Sequence, residues 1–270
     1  MNELIEIGLS TVKQHQSLPF SIYCANDEQH IVNVPIAKPL LVVVLSGSKR
    51  LIDTEEVNCN AGDFVFMANT PKVAMRNIPQ NIGYMALLIE FDYTDFECLK
   101  YQSGAKKKFI NGQVDSLLQM SLKQFIEWAA VTPSQLWPIR RQELLQVLFL
   151  QGFIDLGSII EPPTLTHKVH TIITSDLTRD WDANSIAASL AMSESTLRRK
   201  LTAEESSFQL IKDKARLSHG LHLIQSSSEP IGVIAQQCGF SSQSRFTDKF
   251  KLLFNTTPTA LRKTIMSEVG

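Results

Sequence analysis

A chain of 270 residues is long enough for two domains that each bury a core, and 44% hydrophobic against 20% charged residues excludes a disordered, collagen-like or disulfide-stapled molecule. The net charge of −1 hides an asymmetry: residues 1–163 hold 13 Lys and Arg against 17 Asp and Glu, while residues 164–270 hold 13 against 10, an excess of +3 that suits a polyanion. The longest apolar run, LLVVVL at 40–45, is too short to cross a bilayer, the opening MNELIEIGLS lacks a signal-peptide pattern, and four cysteines stand far apart, so a cytoplasmic chain with reduced thiols is expected.

Between residues 20 and 91 short β-rich runs alternate with turn residues: SIYCA, KPLLVVVLSGSKRLID, VNCNAGDFVFMANTP and GYMALLIEF. The continuous run LLVVVL predicts a strand covered on both faces, and the set as a whole predicts a closed, barrel-like β unit. Beyond the polar segment 103–108 the period turns helical. Val114, Leu117, Leu118, Leu122, Phe125 and Ile126 line one face over VDSLLQMSLKQFIEWA. A second helix, residues 139–153, opens at Pro138; its stripe of Leu144, Leu145, Leu148 and Phe149 is wide enough either for the core or for a face shared with a second subunit. Those four are the candidate dimerisation residues. The Gly-, Ser- and Pro-bearing segment 156–166 reads as a linker between a domain at 1–155 and another at 167–270.

The last hundred residues read as helices at 167–177, 185–191, 194–201, 208–225, 231–238 and 243–254, with Gly239 and Asn255 placed as helix stops. They contain an internal repeat. A shift of 48 residues lays Ile186 on Ile234, Ala187 on Ala235, Ala191 on Gly239, Met192 on Phe240 and Ser193 on Ser241. One further residue in the second turn continues the match, Leu197 on Phe246 and Leu201 on Phe250. Each copy is a short helix, a tight turn and a second helix, the pattern of a helix-turn-helix. The face left free offers Ser195, Arg198, Arg199 and Thr202 in the first copy, and Gln243, Ser244 and Thr247 with Arg245, Lys249 and Lys251 at the flanks in the second. Arginine pairs bidentately with guanine, glutamine with adenine, and hydroxyls adapt to base edge or phosphate, so these ten are the candidate DNA contacts. Asp248 is left out because phosphate repels a carboxylate.

Residues 165–263 resemble the AraC/XylS family of bacterial transcription regulators. The resemblance is carried by Ser185-Ile186-Ala187-Ala188-Ser189-Leu190-Ala191-Met192-Ser193, Leu197-Arg198-Arg199, Arg216-Leu217, the run from Pro230 through Ile234-Ala235 and Gly239-Phe240 to Ser242, then Phe246, Phe250-Lys251 and Thr257-Pro258. It implies two helix-turn-helix subdomains joined by a long helix around Arg216, with recognition helices entering successive major grooves about 34 Å apart. Ala191, Gly220, Asn255 and Asp248 depart from the usual pattern. A looser similarity to the regulatory half of that family runs through the segment 39–50, Ala61-Gly62-Asp63 and Arg140-Arg141-Gln142-Glu143-Leu144-Leu145. It implies an α+β chain, a cupin-like β-barrel with dimerisation helices ahead of the all-α domain. The implied partners are double-stranded promoter DNA, RNA polymerase, a second copy of the chain and a small-molecule effector, and the implied sense is activation.

A cupin barrel is also a fold of metal enzymes, but those need a cluster of His and acid ligands, and the barrel region holds only His30. No Gly-rich phosphate loop or nucleophile elbow is present, so no cofactor, metal or catalytic residue is assigned. Control by a protein partner stands beside control by a small molecule. Lys38, Lys49, Arg50 and Arg76 are the candidate anchors for an anionic effector.

Overall fold

A computed structural model describes residues 1–15, 17–52, 56–99, 107–159 and 164–265. The chain divides into two compact units, Met1–Ile160 with Lys263–Gly270, and Glu161–Arg262. That boundary falls inside the segment read as a linker, whose residues 160–163 lie outside the described ones.

The first unit opens with helix α1 (Asn2–Gln14), which nothing in the local pattern had announced. Strands β1 (Ser21–Ala25), β2 (Gln29–Ile36), β3 (Leu40–Ser46), β4 (Ser48–Ile52), β5 (Glu56–Asn60), β6 (Asp63–Met67), β7 (Thr70–Ile78), β8 (Tyr84–Glu90) and β9 (Phe109–Gln113) follow. They build two antiparallel sheets, in the orders β1-β8-β3-β6-β9 and β2-β7-β4-β5. β3, the continuous apolar run, is central in the first sheet and buried at every position. Its alternate residues Leu41, Val43 and Leu45 join a cluster with Phe64, Phe66, Leu87 and Ile89, onto which the helices pack. β2, β7 and β9 are strands that the sequence did not single out. β2 and β7 pair with each other with register shifts after Ile31 and after Val34, which break the strict alternation that a sequence pattern relies on.

Helices α2 (Ser116–Val131) and α3 (Trp137–Leu150) complete the cluster. Leu118, Leu122, Phe125 and Ile126 of α2 are buried as expected, but Leu117, placed on the same face by its spacing, is 48% exposed. The dimerisation residues need correction. Leu144, Leu145 and Leu148 are at most 1% exposed and lie in the same cluster as Phe64 and Leu122, and Phe149 is half-buried. A second subunit could not reach the three leucines without opening the core. α3 is fastened further by Arg141, whose guanidinium donates to Asp95 at 2.5 Å and to Asp92 at 2.7 Å; Asp95 is itself buried. Removing either partner of such a buried pair strands the other charge, at a cost of about 3–5 kcal/mol.

The second unit is all helical: α4 (Leu165–Thr174), α5 (Ala183–Ser189), α6 (Glu194–Ala203), α7 (Phe208–Ser226), α8 (Ile231–Gln237), α9 (Gln243–Phe254) and α10 (Pro258–Lys263). α9 has the bounds expected of it, α5 begins two residues early because Asp182 caps it, and α10 was not foreseen. Val169, Ile173, Ile186, Leu197, Leu201 and Ile211 form one core around Trp181. Ile234, Ala235, Phe246, Phe250, Phe254 and Leu261 are buried in the other half. α7, about 28 Å long at 1.5 Å per residue, contributes to both. No helix among the described residues is long and apolar enough to cross a membrane.

Candidate nucleic-acid interface

The 48-residue repeat is a repeat of backbone geometry. After α5 the chain turns through Ala191 at φ +52°, and after α8 it turns through Gly239 at φ +74°, both left-handed. The same hydrogen bonds close the two turns. The Met192 N–H donates to the Ala187 carbonyl at 3.0 Å, and the Phe240 N–H donates to the Ala235 carbonyl at 2.9 Å. One residue further in, the Ala191 and Gly239 N–H groups donate to Ala188 and Gln236. The second helix of each copy then starts on a serine: the Ser193 hydroxyl accepts from the Thr196 N–H and the Ser242 hydroxyl from the Arg245 N–H. Ile186, Ala187, Leu197 and Leu201, and their counterparts Ile234, Ala235, Phe246 and Phe250, are all at most 2% exposed. Four apolar anchors per copy therefore fix which face of α6 and α9 turns outward.

The outward faces hold the expected side chains. Ser195, Arg198, Arg199 and Thr202 are exposed on α6, and Gln243, Ser244, Arg245 and Lys251 are exposed on α9; Thr247 is half-buried. Arg198 is held by Glu194 one turn earlier, at 2.5 Å, which orients its guanidinium along the helix surface. Arg199 and Lys251 make no ion pair among the described residues. Lys249 is paired as well: its ammonium is bound to Asp213 of α7 at 2.5 Å, which braces α9 against the connecting helix.

The comparisons with known proteins agree with this geometry. The helix-turn-helix domain family matches residues 186–264. Over 102 residues the chain is 40% identical to the transcriptional regulator SirC of Salmonella typhimurium strain SL1344, covering 38% of this chain and 35% of SirC. Over 126 residues it is 33% identical to the HTH-type transcriptional regulator GadX of Escherichia coli strain K12, covering 45% of this chain and 46% of GadX. Over these residues the second unit is similar to a helix-turn-helix domain family and to two transcriptional regulators. These matches span less than half the length of either relative. Over 95% of the chain the fold is similar to unsaturated fatty acid bound ToxT from Vibrio cholerae strain SCE256, with a TM-score of 0.64, 17% identity and 98% of that chain covered. That likeness is one of fold.

Within this helix-turn-helix unit, the sequence reading gave no positioning role to Lys212, Arg216 or Arg179. Lys212 of α7, 8% exposed, donates to the Trp181 carbonyl at 2.7 Å and to Asp180 at 2.9 Å, so it ties the connecting helix to the entry of the first copy. Arg216 reaches the Arg179 carbonyl at 3.2 Å, and Arg179 stacks on the Trp181 ring at 3.9 Å. The signal of Lys212 and Arg216 in the sequence was charge on the long helix that joins the two copies. Gly220 lacks a side chain for a visible reason: a Cβ there would sit 2.7 Å from the Phe246 ring.

The four effector candidates in the first unit separate cleanly. Lys38 is paired with Asp92 at 2.7 Å, Arg50 with Glu56 at 3.2 Å and Arg76 with Glu28 at 2.6 Å. Lys49 of β4 is 5% exposed and faces the ring of Tyr84 in the opposite sheet at 5.8 Å. It donates to Asn77 Oδ1 at 2.8 Å and to Met75 Sδ at 3.4 Å, with no carboxylate bound to it among the described residues, and burial lowers its pKa to about 8.

Proposed function

We propose that the chain is a sequence-specific DNA-binding transcription regulator, an activator that works as a homodimer in the bacterial cytoplasm on promoter DNA and with RNA polymerase. The observation that carries it is the pair of turns closed by the same hydrogen bonds 48 residues apart, each presenting a second helix whose outer face is polar and basic. Two such helices on one unit suit successive major grooves. The reading assigns no catalysed reaction to the chain.

The test is a duplex selected from a random pool by the full-length protein. Specific binding that weakens steeply with salt is expected, because Lys and Arg displace condensed counterions. Arg198→Ala costs about 1–3 kcal/mol on the selected duplex and less on random DNA. Equal affinity for every duplex, or indifference to salt, would overturn the proposal.

An effector reading goes with it, in which a small amphipathic carboxylate enters the first unit and pairs with Lys49. Two things support it: Lys49 alone of the four basic candidates is buried without a carboxylate, and the ToxT structure of similar fold holds an unsaturated fatty acid.

A further inference from the structure

The two copies carry opposite charges at the centre of their outward faces. On α9, Asp248 stands two residues from each of the buried Phe246 and Phe250, about 160° of helix rotation away from both, so it points straight out from the core. On α6 the matching position, two residues from each of Leu197 and Leu201, is Arg199. The flanks are exchanged as well. Arg245 and Lys251, three residues to either side of Asp248, lie about 60° round the helix from it on opposite sides, where α6 has Thr196 and Thr202. One helix shows a cation between hydroxyls, the other an anion between cations.

Asp248 is exposed, and its carboxylate has no ion pair or side-chain hydrogen bond among the described residues. The nearby cations are directed elsewhere. Lys249 is bound to Asp213 of α7 at 2.5 Å, and the Arg245 guanidinium donates to the Ser241 hydroxyl at 3.4 Å. A major groove is about 12 Å wide, barely more than a helix, so a helix seated in it turns its flanks to the two phosphate backbones and its outermost line to the base edges. Arg245 and Lys251 then meet phosphates, and Asp248 meets the groove floor, away from the charge that would repel it. An ionised carboxylate only accepts hydrogen bonds, and the groove floor offers two donors, the N4 amino group of cytosine and the N6 amino group of adenine. Adenine carries its N7 acceptor beside that amino group, which repels the second carboxylate oxygen; cytosine has only a C–H there.

We propose that Asp248 accepts a hydrogen bond from cytosine N4 in the groove entered by α9. The DNA site is then directional, with guanine facing Arg199 in one groove and cytosine facing Asp248 in the next. The proposal rests on the DNA-binding reading given above and names a base that the second copy selects.

The test is selection of duplexes from a random pool by the full-length chain and by its Asp248→Ala and Asp248→Asn forms, followed by anisotropy titrations. The natural chain should fix a C·G pair about ten base pairs from the guanine contacted by the first copy. Exchanging that pair for T·A, which puts an O4 acceptor in place of the amino group, should weaken binding about fivefold or more. Asp248→Ala should lose this discrimination while keeping the other selected bases. Asp248→Asn should select adenine at the same pair, because a carboxamide bonds N6 and N7 together. Both changes lie on the exposed face, so the urea midpoint should not move. An Asp248→Ala chain that selects the same cytosine and binds every duplex more tightly would reduce Asp248 to a repelling charge and overturn the proposal. So would an Asp248→Asn chain that keeps cytosine over adenine, or a natural chain indifferent to the T·A exchange. A natural chain that selects no duplex at all would sink the DNA-binding reading itself, whereas a specific duplex whose bases are unaffected by either change would sink this assignment alone.

Discussion

Gly239 and Ala191 occupy the same place in the two copies and the same left-handed region, yet their surroundings differ. A Cβ on Gly239 would overlap the Leu177 carbonyl oxygen and lie 2.7 Å from the Arg216 guanidinium, whereas the Ala191 methyl is exposed. The left-handed backbone alone costs a Cβ-bearing residue about 1–2 kcal/mol. At Gly239 the overlap with the Leu177 carbonyl adds about 1–3 kcal/mol, because a backbone oxygen cannot rotate away. Gly239→Ala should therefore lower the urea midpoint and weaken specific DNA binding, since Gln243, Ser244 and Arg245 follow directly on the turn. Ala191→Gly should leave stability within about 1 kcal/mol of the natural chain, glycine's extra entropy offsetting the relieved strain. Equal effects of the two changes on the urea midpoint would show that Leu177 and Arg216 do not define the second turn.

α7 is the element that both copies share, and it carries two half-buried imidazoles. His219 and His222 have ring centroids 6.2 Å apart; burial holds both below their ordinary value, and His222, with the neighbouring His219 adding to the effect, falls to about 4. The fold therefore keeps His222 neutral. Between pH 6.5 and 4 the unfolded chain binds the proton that the folded chain refuses, so stability is full above pH 6.5 and falls as pH drops through that window. The loss attributable to His222 is on the order of 3 kcal/mol by pH 4. Hydrogen exchange of the α7 amides should accelerate from pH 7 to pH 5 once the intrinsic pH dependence of exchange is removed, and His222→Gln should flatten that trend. A slope unchanged in the variant would place the responsible group elsewhere. The same helix holds Asp213, whose pairing with Lys249 fixes the pitch of α9.

At the scale of the whole molecule, effector control requires that occupancy of the first unit alter the DNA affinity of the second. Such coupling is reciprocal in free energy, and typical couplings of 1–3 kcal/mol change affinity about 5- to 150-fold. Lys49 is the residue on which it turns in this proposal. An ammonium buried between the two sheets has lost its hydration, and a ligand carboxylate would restore a counter-charge in a site of low dielectric. Oleate should raise the unfolding midpoint of the full chain and shift its affinity for the selected duplex. Lys49→Met keeps the aliphatic stem, removes the charge, and should abolish both effects. A midpoint shift that survives in Lys49→Met would remove Lys49 from the effector site, and no shift in the natural chain with a series of fatty carboxylates would sink the carboxylate reading.

Local features were legible in the order of residues. The helix-turn-helix pair could be read there because its defining contacts span five residues or fewer: Met192 to Ala187, Phe240 to Ala235, Ser193 to Thr196. Small residues, caps and left-handed stops at those intervals specify that turn and little else. The β unit was legible where strands are buried on both faces, as in β3, and missed where bulges or polar partners interrupt the alternation, as in β2 and β7. What each face and each charge would meet was left to the packing of the chain. Periodicity shows that a stripe is apolar; it does not say whether the stripe meets the protein's own core, as Leu144, Leu145 and Leu148 do, or is left facing outward, as Leu117, Met120, Trp128 and Val131 are. Charge patterning shows a basic residue and leaves its partner unnamed, because Asp213 stands 36 positions from Lys249 and Glu28 stands 48 from Arg76. Those partners were set by the packing of helices and strands, which brings together residues that no local rule relates.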